Sequence, residues 1–221
     1  MRKIIHGFLI VFGLLAAAGA VFADSDQAVV DSIQKQYDAT RTFQAHFVQK
    51  SYLKVMGQSQ IAQGRVYIKK PGKMKWDYTA PDRQILISNA EALWLYLPEE
   101  SQVTKMQVQS IYSSNAPALF LAGKGKLTES FQVKKINRTS KRLEVTLIPR
   151  EPDHNVDRLV LFAHPKNHQI IGSRVYDKLG NQTEMIFSKI QINPSIEDGI
   201  FEFKVPEGVE LIDFSADPRN Q

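Results

Sequence analysis

The sequence predicts a mainly β protein with two helical pieces, arranged as an incomplete, half-open antiparallel barrel of about eleven strands. From Phe43 onward apolar and polar residues alternate with a period of two, as in half-buried strands. Turn residues separate these runs at near-even spacing, and proline and glycine fall between the runs far more than inside them. Sequential antiparallel strands of this kind make a sandwich or a curved, barrel-like sheet. Both helical pieces are apolar on the side they present, and the second carries more apolar surface than one helix face needs. That leans toward one long sheet with helices laid in its concavity, although the first would serve equally as an ordinary core helix.

The first helix follows Asp24-Ser25-Asp26, which offer capping oxygens and negative charge at its start. Val30, Ile33 and Tyr37 recur on one side, and the helix should end near Thr40-Arg41. Strands are expected at about 43–53, 60–70, 74–78, 84–89, 92–97 and 102–108. Between them, Pro71-Gly72 and Pro81-Asp82 read as turns. On the strand they enclose, Met74, Trp76 and Tyr78 share one face, and the preceding strand ends its row of Gly64, Val66 and Ile68 with Lys70. Ser114 or Asn115 then caps a short helix whose first turn suits Pro117 and whose stop suits Gly123, with Leu119, Phe120 and Leu121 in succession. Strands resume at about 129–137, 141–149, 156–163, 169–176, 183–193 and 200–204, and the polar tail from Ser215 should fray.

Residues 1–23 open with Arg2 and Lys3, run apolar from Ile4 to Phe22 and end Val21-Phe22-Ala23, the pattern of a secretory leader cleaved after Ala23. Residues 24–221 then form a single domain, and the net charge falls from +5 to +3 with the loss of two cations. So mild a balance, without a basic stripe, gives no reason to expect nucleic acid. The chain contains no cysteine, so its core must hold without disulfides, and no thiol is available for a lipid anchor after the leader.

Catalytic patterns are missing. There is no Gly-x-Ser-x-Gly elbow and no phosphate-binding glycine loop, and Gly123-Lys124-Gly125-Lys126 lacks the strand-loop-helix setting such a loop needs. His164 and His168 have the spacing of a metal pair, but Pro165 places them in a loop without acidic partners. Neither a cofactor nor a metal is expected. What stands out is aromatic and apolar surface, which fits an ordinary core or, for some residues, the wall of a ligand cavity.

The runs Phe43-Gln44-Ala45-His46-Phe47-Val48-Gln49-Lys50 and Gly64-Arg65-Val66-Tyr67-Ile68-Lys69-Lys70-Pro71, followed by Trp76-Asp77-Tyr78 and Pro81-Asp82, resemble the LolA family of periplasmic lipoprotein carriers. The resemblance continues through Ile85-Leu86-Ile87-Ser88-Asn89, Leu93-Trp94-Leu95-Tyr96, Asn115-Ala116-Pro117, Phe201-Glu202-Phe203 and Pro206-Glu207-Gly208-Val209, essentially the whole chain after the leader.

This resemblance implies a half-open barrel enclosing a hydrophobic cavity that short α-helices cover. It further implies a monomeric periplasmic chaperone, not an enzyme. Such a carrier takes acylated lipoproteins from an inner-membrane ABC-type release complex and passes them to an outer-membrane receptor. A lipid- or lipoprotein-sensing module on the same half-barrel is the alternative. Ile33, Tyr37, Phe47, Met74, Trp76, Tyr78, Ile87, Leu119, Phe120 and Leu121 are the residues expected to line the acyl-chain cavity and its lid. Lys70 matches the family's basic lid latch, usually an arginine. Lysine lacks the planar fork of arginine, so a looser latch is expected here.

Overall fold

The computed structural model describes residues 18–107, 127–151 and 156–215. A helix, α1 (Ala18–Ala39), leads into β1 (Thr42–Leu53), β2 (Gln58–Lys69), β3 (Lys73–Ala80), β4 (Gln84–Asn89), β5 (Ala92–Leu97) and β6 (Gln102–Gln107). A one-turn helix, α2 (Leu127–Ser130), precedes β7 (Phe131–Arg138), β8 (Leu143–Pro149), β9 (Val156–Ala163), β10 (Ile170–Asp177) and β11 (Gln182–Ile192). A 3-10 turn (Asp198–Phe201) and β12 (Glu210–Asp213) complete the described chain.

All twelve strands belong to one open sheet, ordered β12-β6-β5-β4-β3-β2-β1-β11-β10-β9-β8-β7. Within β1–β6 and within β7–β11, neighbours in sequence pair antiparallel, as the short turns require. A non-local step, β1 against β11, joins the two halves with Phe47 opposite Phe187. The ladder slips by a bulge between Gln44 and His46. On the facing strand Lys189 adopts a positive φ of 50°.

The sheet has an inner face, carrying α1, and an outer face. Val30, Ile33 and Tyr37 pack with Leu143, Val145, Leu147, Leu159 and Leu161 on the β8–β9 half. A second cluster fills the same face across β11 and β1–β6: Phe43, Phe47, Val66, Ile68, Met74, Trp76, Leu93 and Phe187. The α1–β1 link is pinned from across the sheet. The side-chain oxygen of Asn193 accepts from the backbone N–H of Arg41 at 2.7 Å, and its amide donates to the carbonyl of Ala39 at 3.1 Å.

Two expectations are corrected. The strand expected at 200–204 is a 3-10 turn followed by irregular chain. Its i, i+2 phenylalanines do not mark strand faces; they pin the chain across the outer side of the sheet. Phe201 is fully buried, the turn packs against β3 and β4, and the Phe203 ring lies 6.1 Å from Trp94 and 5.8 Å from Tyr96. This crossing delivers β12 to the far edge, where it pairs parallel to β6. The sheet is therefore antiparallel except at that edge. Separately, α1 runs through Asp24–Asp26 instead of starting there. With the upstream chain still attached, carbonyls one turn earlier accept those N–H groups, so capping residues have no helix end to cap.

Candidate functional site

The register fixes which residues share the inner face. Phe47 lies opposite Gly64, Gly64 opposite Tyr78, and Val66 opposite Trp76. Trp76 in turn lies opposite Leu86. Phe47 meets Trp76 edge-on at 5.1 Å and Tyr78 edge-on at 4.8 Å. Phe43 meets Phe187 edge-on at 5.3 Å, and Trp76 sits 6.3 Å from the same Phe187. Three strands, β1, β3 and β11, thus contribute rings to one continuous aromatic floor, mostly in the edge-to-face arrangement aromatic rings favour.

Glycine makes this floor possible. A Cβ on Gly64 would lie 2.1 Å from the carbonyl oxygen of Asp77 and 2.9 Å from the Phe47 ring. Without a side chain, β2 approaches β3 closely and the Phe47 ring lies over it.

Most expected cavity residues come together, but as packed core. Phe47, Met74 and Trp76 are each at most 2% exposed. The apolar cleft between the end of α1 and the sheet, lined by Tyr37, Phe43, Ile68, Ile170 and Ile192, has a volume of only about 30 Å³. That admits one or two water-sized groups, so an acyl chain must displace whatever covers the floor. Ile33 and Tyr37 join from α1 and face the β8–β9 half.

Ile87 does not join them. It lies opposite Lys75 and Trp94, on the outer face, and its neighbour Leu86 takes the inner position. The run Ile85-Leu86-Ile87 is apolar on both faces, so periodicity could not choose between them; the pairing to Trp76 does. Leu119, Phe120 and Leu121 lie outside the described residues. Phe43 and Phe187 were missing from the expected set. Phe43 could have been found from its even spacing to Phe47, whereas Phe187 depends on a pairing across most of the chain.

At the end of β2, Lys70 reaches back to α1. Its ammonium donates to the Tyr37 carbonyl at 2.7 Å and lies 3.3 Å from the centre of the Tyr37 ring. That carbonyl belongs to the last turn of α1, where acceptors lack partners within the helix and a cation opposes the dipole favourably. The position is half-buried, and burial pulls the lysine down to about 8, with the Asp38 carboxylate opposing that pull. Neighbouring Lys69 instead pairs outward with Asp198 at 2.7 Å.

Two buried polar atoms in this region have no hydrogen-bond partner among the described residues, Trp76 Nε1 and Asp77 Oδ1. A donor left unmet in an apolar floor costs about 1–3 kcal/mol, a burden a well-packed core ordinarily avoids.

Residues 38–204 match the family model described as outer membrane lipoprotein carrier protein LolA. An outer-membrane lipoprotein carrier protein of Hahella chejuensis is 31% identical over 90% of this chain and 94% of its own. One from Pseudomonas aeruginosa is 30% identical over 92% of this chain and 96% of its own. Among solved structures, an uncharacterized conserved protein from Thermus thermophilus shares the fold with a TM-score of 0.53 at 12% identity, over 86% of this chain and 99% of that one. The chain is a member of the LolA family of outer-membrane lipoprotein carrier proteins.

Proposed function

We propose that this chain carries lipoproteins through the periplasm, holding their acyl chains against the inner face of the sheet. The observation that carries this reading is the aromatic floor formed by Phe43, Phe47, Trp76 and Phe187, beside a very small cleft that Phe43 also lines. Each methylene of an acyl chain gains about 0.8 kcal/mol on leaving water, so transit between two membranes needs an apolar host. The floor supplies one, and it offers soft surface at Met74 and Met106, where thioethers adapt to flexible chains.

Loading begins from the closed form. Lys70 ties α1 to the sheet through one hydrogen bond and one ring contact, and the partly desolvated ammonium makes that tie costly to hold. Cargo needs only to supply the remaining difference between closed and open forms. When the acyl chains leave, the floor recovers its cover and the chain returns to its starting state.

In this reading residues 1–23 are a leader removed on export, and residues 24–221 work as one domain. An inner-membrane ABC-type complex hands over the cargo and an outer-membrane receptor takes it. The position of Lys70 supports its role as the latch, and Ile33, Tyr37, Phe47, Met74, Trp76 and Tyr78 are the wall and lid residues, with Leu86 in place of Ile87. The test is release from inner-membrane vesicles bearing the ABC-type complex and a radiolabelled lipoprotein. Label should appear in the soluble fraction only when this protein and ATP are both present; label that stays with the vesicles contradicts the reading.

A further inference from the structure

The inner face changes character at one level on four adjacent strands. Along β1, Phe43, Ala45 and Phe47 give way to Gln49 and Ser51. Across from them, Gly64 gives way to Ala62 and Gln60 on β2, Trp76 to Tyr78 on β3, and Leu86 to Gln84 on β4. The boundary is built rather than frayed. The Tyr78 hydroxyl donates to Gln49 Oε1 at 3.0 Å, and the Gln49 amide donates to Ser51 Oγ at 3.2 Å.

Beyond that boundary, beginning at the Gln49 that accepts from Tyr78, lies a groove of about 310 Å³ lined by Gln49, Ser51, Gln60, Asp82 and Gln84. Arg83, Glu99 and Glu100 stand among its walls. Its volume is at the small end of ligand pockets, enough for a short extended segment and far too small for a folded domain. The side-chain amides of Gln60 and Gln84 make no hydrogen bond among the described residues. An amide offers two donors and one acceptor group without charge, which suits the backbone of a peptide of any sequence.

We propose that this groove binds the polar peptide segment adjoining the acylated end of the cargo, so that one face of the sheet reads a lipoprotein across its lipid–peptide junction. The inference rests on the carrier reading. An acylated terminus carries hydrocarbon and backbone amides within a few bonds of each other. Amides drawn onto the aromatic floor would lose their hydrogen bonds to water, whereas here glutamine side chains replace those bonds at the point where the floor ends.

Two probes separate the claims: a long-chain fatty acid, and a triacylated cysteine peptide with about six polar residues. Gln60→Trp fills the groove from an exposed position, and the double variant Gln60→Ala with Gln84→Ala removes its free amides. The lipopeptide should bind at least tenfold more weakly to either variant than to the wild type, with fatty acid affinity unchanged. Equal weakening for both probes, or no weakening for the lipopeptide, overturns the groove assignment while leaving the carrier reading in place. A wild-type protein that binds neither probe overturns both.

Discussion

Lys70 is bound to Tyr37 twice: its ammonium donates to the Tyr37 carbonyl at 2.7 Å and sits 3.3 Å from the centre of the Tyr37 ring. One side chain just past β2 thereby holds the last turn of α1 to the sheet. Burial of the ammonium, which disfavours its charged form, sets a pH dependence. The lysine titrates at about 8 in the folded protein and at 10.5 when free in water. Between those values the unfolded chain binds more protons, so stability contributed by this group rises with pH across that window and is lost as pH falls through about 8. Urea midpoints measured from pH 7.5 to pH 10 should show this rise in the wild type relative to Lys70→Met. Parallel profiles for the two proteins would contradict it.

Replacing Lys70 with arginine should tighten the junction. A guanidinium stays charged throughout, is more weakly hydrated than an ammonium, and presents a planar fork to the carbonyls at the end of α1. Backbone amides of α1 should exchange with deuterium severalfold more slowly in Lys70→Arg, with β-strand amides unaffected. Unchanged exchange in α1 would show that the latch is not limiting.

Gly64→Ala should be among the most damaging small substitutions in the protein. The added methyl meets the Asp77 carbonyl at 2.1 Å, and that atom is backbone, so relief requires β2 and β3 to separate. A loss of about 3 kcal/mol is expected, at the upper end for overpacking. Chemical denaturation checks it. A loss below about 1 kcal/mol would mean that the two strands are less tightly apposed than described.

The orphan donor on Trp76 gives a contrasting expectation. Phe47→Ala removes a ring packed between Trp76 and Tyr78 and should cost about 3–5 kcal/mol. Trp76→Phe also loses volume, but it abolishes a buried N–H without a partner, and the two effects oppose each other. Its denaturation midpoint should correspond to a change within about 1 kcal/mol of wild type. A loss comparable to Phe47→Ala would mean that the indole N–H is satisfied in solution.

Local pattern was enough for the strands on either side of each short turn, because period-two alternation and turn chemistry are local properties. It also placed Met74, Trp76 and Tyr78 on one face and Lys70 at the rim. What was not legible depended on distant partners. The β1–β11 pairing that brings Phe187 to Phe43 links residues 144 positions apart, and no local periodicity encodes it. Ile87 was misplaced because β4 is apolar on both sides, one against the aromatic floor and the other against the returning chain with Phe201 and Phe203. That same return explains the missed β12. Glu210–Asp213 is short and half acidic, and it becomes a strand only because the crossing segment lays it beside β6.

A lipoprotein's acyl chains, held on the inner face of the sheet, should travel with the protein itself. The most direct measurement is native mass spectrometry of the full chain expressed with its own leader and purified, without detergent, from the periplasm of a Gram-negative cell. A population carrying one acylated lipoprotein per chain is expected, with the cargo lost when its acyl chains are removed. Protein that is uniformly empty, or that retains deacylated cargo equally well, would contradict it.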